Sequence, residues 1–147
     1  HSVGLWRNVV AVVAGNYHTA ALHADGTVSA LGINESGQCD TREWTDIVAI
    51  DAGLYSTVGL RSDGTVVMTG FLHNAFVPPV QDEVAAWRDV VAISVSGEFI
   101  VGLRSDGTLL AVAIDCPIQE AVSGWENVRI PNQNCNDFAQ NKPKDWR

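Results

Sequence analysis

Three stretches decide the fold: "HADGTVSALG" at residues 23–32, "RSDGTVVMTG" at residues 61–70 and "RSDGTLLAVA" at residues 104–113. Each sets Asp-Gly-Thr between two β-prone runs. Asp-Gly in that setting is a strong hairpin signal, and a type I′ turn with positive φ at both central residues is expected. Glycine enters that region without a Cβ penalty, and aspartate tolerates it better than most residues. Each ten-residue copy is therefore read as the hinge and far arm of a β-hairpin.

Outward from these hinges the whole chain repeats. Trp6, Trp44, Trp87 and Trp125 stand 38, 43 and 38 residues apart. After each of the first three tryptophans the same residues return at the same offsets. They are Val9-Val10, Ile47-Val48 and Val90-Val91, then Val12, Ile50 and Ile93, then Leu22, Leu60 and Leu103, and finally the Asp-Gly pairs. A period near 40 residues marks a repeat architecture, and such periodicity is sought before any other feature. The longer middle step has a local source: 16 residues separate Gly70 from Trp87, against 11 between Gly32 and Trp44. The excess falls in "FLHNAFVPPVQDEVAA", whose Pro78-Pro79 cannot sit inside a paired strand. A loop is expected there.

Within a unit, "VVAVVAG" after Trp6 is short, β-branched and apolar throughout. That is the pattern of a strand covered on both faces. Small residues at Ala11, Ala49 and Ala92 suit closely packed inner strands. Each unit offers three strands, or four if the segment before the next tryptophan pairs. No capped helical stripe stands out. Small antiparallel sheets repeating at this period are blades of a β-propeller. The expected fold is all-β: a partial β-propeller of three to four blades, over residues 1–130. A partial unit starts at Trp125, and residues 131–147 form an irregular cap or tail.

The punctuation separates propeller types. Trp and Asp are split by one residue in Trp44-Thr45-Asp46 and Trp87-Arg88-Asp89, unlike the WD-type repeat, and kelch units are longer. The unit runs Trp, a Val-Val-Ala-Ile-like strand, Gly-x-x-His-Thr, Leu-x-x-Asp-Gly-Thr, then Gly-x-Asn-x-x-Gly-Gln. The first copy shows it best, in "AGNYHTAALHADG" and "LGINESGQC". This resembles the repeat of the regulator of chromosome condensation family, particularly its bacterial members, from residue 6 to about residue 130. The later copies depart from it. Ser56 replaces His18, Ser96 replaces the glycine, Ala113 stands where Gly32 and Gly70 stood, and Gly-Gln is missing twice. A less regular third blade is expected. The resemblance implies a protein-binding propeller face; members include a nucleotide-exchange factor for a small GTPase and an inhibitor of β-lactamases. No partner-contacting motif of either is matched here.

Family members form seven-bladed rings. Three units with the start of a fourth leave terminal blades with exposed strand edges and bare apolar sides, which invite pairing. Completion by a second copy, giving six blades, or by further sequence is expected. Self-association follows from the first alternative.

Chemistry is sparse. No nucleophile–base–acid set is visible, and His18 falls where the other copies carry Ser56 and Phe99. His18 and His23 are an odd offset apart on an extended segment, so they point to opposite faces. No ligand spacing reads as a metal site. The repeated aspartates are turn residues rather than paired catalytic carboxylates. No phosphate-cradling loop precedes a helix. Hence no enzyme, cofactor or metal is expected. Seventeen acidic groups face nine basic ones, and the two lysines, Lys142 and Lys144, lie in the tail. Such a surface repels phosphate backbones and disfavours nucleic acid. No apolar run approaches the roughly 18 residues of a membrane span. The cysteines are Cys39, Cys116 and Cys135, without Cys-x-x-Cys spacing; Cys116 and Cys135 pair only if the tail folds back.

Function is sought where the copies stop agreeing. The linkers after the first strands read Asn16-Tyr17-His18, Leu54-Tyr55-Ser56 and Gly97-Glu98-Phe99. They fall at equivalent positions and so on one rim. Each carries an aromatic, a residue class favoured at recognition surfaces. Asn16, Tyr17, His18, Leu54, Tyr55, Glu98 and Phe99 are the candidate contacts for a protein partner. A structural or cell-surface repeat segment, or a carbohydrate-binding surface, is the alternative.

Overall fold

Each Asp-Gly-Thr closes a hairpin, and the rest of the architecture is built from three such hairpins with one strand added to each. The computed structural model describes residues 6–72, 79–97 and 99–113. Its strands are β1 (Val9–Ala14), β2 (His18–His23) and β3 (Val28–Gly32), then β4 (Ile47–Ala52), β5 (Tyr55–Arg61) and β6 (Val66–Phe71), then β7 (Val90–Val95), β8 (Phe99–Arg104) and β9 (Leu109–Ala113). They form three antiparallel three-stranded sheets, ordered β1-β2-β3, β4-β5-β6 and β7-β8-β9. No fourth strand joins a sheet among the described residues.

The turn differs from the expected type I′. Gly26, Gly64 and Gly107 have φ of 83°, 84° and 86°, and the aspartates before them are not in the left-handed region. Gly26 N donates to His23 O at 3.0 Å and His23 N to Thr27 O at 2.9 Å, so the loop has three residues. This is the hairpin with a left-handed glycine forming a bulge. The aspartate has a different task. Asp25 Oδ1 accepts from Thr27 N at 3.0 Å and from the Thr27 hydroxyl at 2.6 Å. Asp63 with Thr65 and Asp106 with Thr108 repeat the pattern. The threonine is thus part of the motif. Its hydroxyl and amide hold all three aspartates below the usual carboxylate range.

The first strands carry a bulge at the same place. Register shifts between Val9 and Ala11, Ile47 and Ala49, and Val90 and Ala92. Before each bulge stands Asn8, Asp46 or Asp89 with φ of 55°, 59° or 60°. Asn and Asp are the non-glycine residues that tolerate this region. The carbonyls of these residues accept from Ala24, Ser62 and Ser105 N. Trp-x-Asn in the first unit and Trp-x-Asp in the other two are therefore the start signals of the blades.

β4 packs against β1 and β2, and β7 against β4 and β5. First strands approach one another while third strands do not, which is the wedge arrangement of blades about an axis. Apolar clusters fill both junctions. Leu22, Val28, Trp44, Ile47 and Ile50 occupy the first. Val58, Val66, Leu72, Val84, Trp87 and Val90 belong to the second. The tryptophans lie over a strand residue with little or no side chain. A Cβ on Gly59 would stand 3.0 Å from the Trp44 ring, and one on Gly102 2.9 Å from Trp87.

Two further expectations are corrected. β1 is not covered on both faces: Val9 and Val12 are 36% and 61% exposed, because no blade stands before the first unit among the described residues. Part of the "FLHNAFVPPVQDEVAA" insertion is helical: α1 (Pro79–Ala85) packs on β6 and β9. Proline at a helix start leaves a donor that is unpaired there anyway. Val84 is fully buried, and Gln81 Nε2 donates to Gly70 O at 2.8 Å. Residues 73–78 of the insertion lie outside the described residues. The third blade is as regular as the others. Phe99 pairs with Ala113 just as His18 pairs with Gly32 and Ser56 with Gly70. The partial unit at Trp125, the 131–147 segment, Cys116 and Cys135 lie outside the described residues.

Candidate functional site

The β1–β2 and β4–β5 linkers share one rim with the end of each third strand; the Asp-Gly turns occupy the opposite rim. The linkers are tight because blade follows blade at backbone distance. A Cβ on Gly15 would lie 2.5 Å from Gly53 O, and one on Gly53 would lie 2.6 Å from Ser96 O. Gly15 N donates to His18 O, Gly53 N to Ser56 O and Ser96 N to Phe99 O, each at 2.9 Å. The first two turns therefore set Asn16-Tyr17 and Leu54-Tyr55 on the rim.

Tyr17 and Tyr55 meet on this rim. Their ring centroids are 5.5 Å apart and their planes 19° from parallel. Offset stacking of this kind contributes about 0.5–1.5 kcal/mol beyond area burial. Tyr17 remains 47% exposed. Asn16 is exposed and Leu54 half-buried, with Leu54 Cβ lying 3.4 Å from where a Cβ on Gly97 would stand. The surface is thus Asn16, Tyr17, Leu54 and Tyr55. Glu98 lies outside the described residues.

His18 and Phe99 are placed differently from the sequence expectation. They are 4% and 1% exposed, so both side chains pack inward rather than present themselves to a partner. In a strand, successive side chains face opposite ways, so the residue after an outward tyrosine turns in. His18 Nε2 is 2.7 Å from Thr57 Oγ1, and the Thr57 hydroxyl donates to Gln38 O at 2.7 Å. Thr57 has one proton, already given to Gln38, so it accepts from His18. The imidazole is then the neutral Nε2–H tautomer, with Nδ1 buried and unpartnered. Burial pulls its pKa below the ordinary 6.5, with the Ser56 backbone partly opposing.

The sign of the resulting pH dependence follows. The unfolded chain binds a proton that the native chain refuses, so this stability is complete above about 6.5 and is lost as pH falls through the lowered native value. Urea midpoints should therefore decline more steeply with acidification in the wild type than in His18→Gln. Equal slopes would show that the imidazole stays solvated.

Sequence reasoning missed the clasp that His18 joins. Gln38 and Thr41 are 0% and 2% exposed. Thr41 Oγ1 donates to Val28 O at 3.0 Å, and Thr69 Oγ1 donates to Gly37 O at 2.7 Å. The "GINESGQC" loop of unit 1 is thus fastened onto unit 2. The Gly-Gln of the motif was the available signal, and it marks a joint between blades.

The opposite rim holds an open depression of about 440 Å³ lined by Arg7, Asn8, His23, Ala24, Asp25 and Thr27. Both ring nitrogens of His23 are engaged there, with Arg7 O at 2.7 Å and Ser29 Oγ at 2.8 Å. Among the described residues no three His, Cys, Asp or Glu side chains converge as metal ligands. No helix among them is long and apolar enough to cross a membrane.

Comparison with known proteins agrees with this geometry. The Regulator of chromosome condensation (RCC1) repeat matches residues 9–38. No curated protein matches the chain. Among solved structures, Prp20p from Saccharomyces cerevisiae superposes with a TM-score of 0.59 at 18% identity, over 76% of this chain and 32% of that one. The ectodomain of the receptor kinase CR4 from Physcomitrella patens gives 0.60 at 18% identity, over 74% of this chain and 30% of that one. Human WBSCR16 gives 0.57 at 17% identity, over 82% and 38%. The chain spans about a third of the length of these structures. Prp20p is described with binding properties to Gsp1p and histones. The fold is that of RCC1-type propeller repeats, which commonly mediate protein interactions.

Proposed function

We propose that this chain, built of RCC1-type propeller repeats, is a non-enzymatic protein-binding module that presents one blade rim to a protein partner and associates with itself. The observation that carries the rim reading is the exposed Tyr17 stacked on Tyr55. Two blades bring these rings together from residues 38 apart in sequence. The mutual stack fixes both rotamers before a partner arrives, which lowers the entropic cost of ordering them at an interface. Asn16 supplies a polar contact beside them and Leu54 an apolar one. The excess of acidic over basic groups supports a protein rather than a nucleic-acid partner.

The test is capture by the immobilised chain, followed by titration with the purified captured protein. Tyr17→Ala combined with Tyr55→Ala is expected to weaken that binding at least about thirtyfold, the order of a hot-spot loss of about 2 kcal/mol or more. The double variant should still unfold in one cooperative transition, at a somewhat lower temperature because the stack is lost, since Tyr17 is half-exposed and Tyr55 is not fully buried. Undiminished binding by the double variant would show that the rim is not the contact.

A further inference from the structure

We propose that the tyrosine rim takes a cationic segment of its protein partner, whose apolar side chain docks beside Tyr17 while neighbouring arginine or lysine side chains meet Glu35, Asp40 and Asp82. This rests on the rim-binding reading and assigns it a partner chemistry.

Exposed apolar groups gather at this end of the strands. Ile33 is 48% exposed, and its N–H donates to Tyr17 O at 2.9 Å. Phe71 is 38% exposed and stands opposite Tyr55 in the β5–β6 register. With Tyr17 and the half-buried Leu54 they make an apolar surface that crosses from the first blade to the second.

The carboxylates beside that surface are held in place. Gly37 N donates to Asn34 O at 3.1 Å and closes a turn around Glu35. Asn34 Nδ2 donates to Asp40 Oδ1 at 2.9 Å, and Cys39 N donates to Asn34 Oδ1 at 2.7 Å. The loop is fastened to the second blade by Thr57, which donates to Gln38 O, and by Thr69, which donates to Gly37 O. Thr57 and Thr69 each stand two residues from the rim, at Tyr55 and Phe71. Asp82 comes from the other side of the blade. Gln81 Nε2 donates to Gly70 O, which brings the start of α1 to the same end of β6. Glu35, Asp40 and Asp82 are all exposed. Groups ordered beforehand lose less entropy when a partner binds.

The cations lie elsewhere. Arg7 lines the depression on the Asp-Gly rim. Arg61 N and Arg104 N donate to Thr65 O and Thr108 O inside the turns of that rim. Arg61 and Arg88 favour the ionised form of Asp63, and Arg104 that of Asp106, in each case behind the larger effect of the threonine hydrogen bonds. Arg42 follows Thr41, whose hydroxyl is bonded to Val28 O at the hairpin end of β3, and it has Glu43 as its neighbour. The Asp-Gly rim therefore balances its carboxylates within the chain. Among the described residues the tyrosine rim holds carboxylates and no arginine or lysine. A surface of one sign beside an apolar patch draws in segments of the opposite sign and rejects those of its own.

Panning a phage-displayed library of random peptides against the immobilised full chain tests this. Enriched peptides are expected to carry net positive charge with an apolar or aromatic residue, and to lose binding to the chain carrying Tyr17→Ala with Tyr55→Ala. A synthetic copy of the most enriched peptide should bind the Glu35→Gln, Asp40→Asn chain about three- to tenfold more weakly at low salt, the order of two exposed ion pairs. That gap should close as salt is raised. Both substitutions keep a side-chain acceptor, so the bond from Asn34 and the circular dichroism spectrum should be retained. Enriched peptides that need the tyrosines but are neutral or acidic, or that bind the charge variant equally well at low salt, overturn the cationic assignment and leave the rim reading standing. Peptides indifferent to the tyrosines, or no enrichment at all, overturn both.

Discussion

Trp87→Ala is expected to remove about 3–5 kcal/mol of unfolding free energy, the usual cost of deleting a buried large aromatic. Trp87 is 6% exposed and sits in the larger apolar cluster with Val58, Val66, Leu72, Val84 and Val90. Its ring lies against the backbone of Gly102, where no side chain intervenes. The space is filled only in part: glycine has nothing to move, and Val58, Val66 and Val90 are β-branched residues held in strands. The cavity persists and its cost adds to the lost transfer energy. A domain of this size is stable by about 5–15 kcal/mol in total, so urea unfolding of this variant should show a midpoint at most about four-fifths of the wild-type value. Trp87→Phe, which keeps a ring over Gly102, should recover part of the loss. A midpoint for Trp87→Ala within error of the wild type would place the ring in solvent.

Gly53→Ala is expected to have the next largest effect, about 3 kcal/mol, at the upper end of what overpacking usually costs. The added methyl would meet Ser96 O at 2.6 Å and Ser56 Oγ at 2.9 Å. Ser56 is a side chain and can rotate, but the Ser96 carbonyl belongs to the turn between β7 and β8 and cannot yield without moving the blade. The third blade must then tilt away from the second, which also strains the hydrogen bond from Val95 N to Asp51 Oδ2 at 2.8 Å. The effect reports blade-to-blade approach rather than local backbone preference, so Gly97→Ala serves as its comparison. A Cβ on Gly97 finds nothing nearer than Leu54 Cβ at 3.4 Å. Chemical denaturation of the two variants should separate them clearly, and equal stabilities would mean that the second and third blades do not touch at this rim.

What the sequence disclosed follows the range of the interactions involved. Asp25-Gly26-Thr27 and its two copies act within five residues, so their hairpins were legible, although the loop has three residues because Thr27 turns its hydroxyl and amide onto Asp25. The tryptophan ladder gave the blade period because packing over Gly59 and Gly102 recurs once per unit. The regular register of the third blade was obscured by Ala113, since strand pairing tolerates alanine where Gly32 and Gly70 stood. Helix α1 was hidden by Pro78-Pro79, read as breakers although Pro79 opens the helix. The site was legible only as a rim. The fate of His18 depends on Thr57, 39 residues away, and that of β1 on a neighbouring blade. Neither is written in local pattern. Tyr17 and Tyr55 could be placed at equivalent positions, but their stacking depends on the spacing of two blades.

Backbone amide hydrogen exchange, read residue by residue by nuclear magnetic resonance, probes the joints between blades most directly. Ile47 and Val90 N–H bond to Gly26 and Gly64 carbonyls of the preceding blade, not to any strand of their own sheets. If the three units stack as one arc, these two amides exchange as slowly as the central amides of β5, opening only with the whole structure. Exchange at the rate of exposed loop amides, with the sheets themselves still protected, would mean three hairpin units strung together without a shared axis.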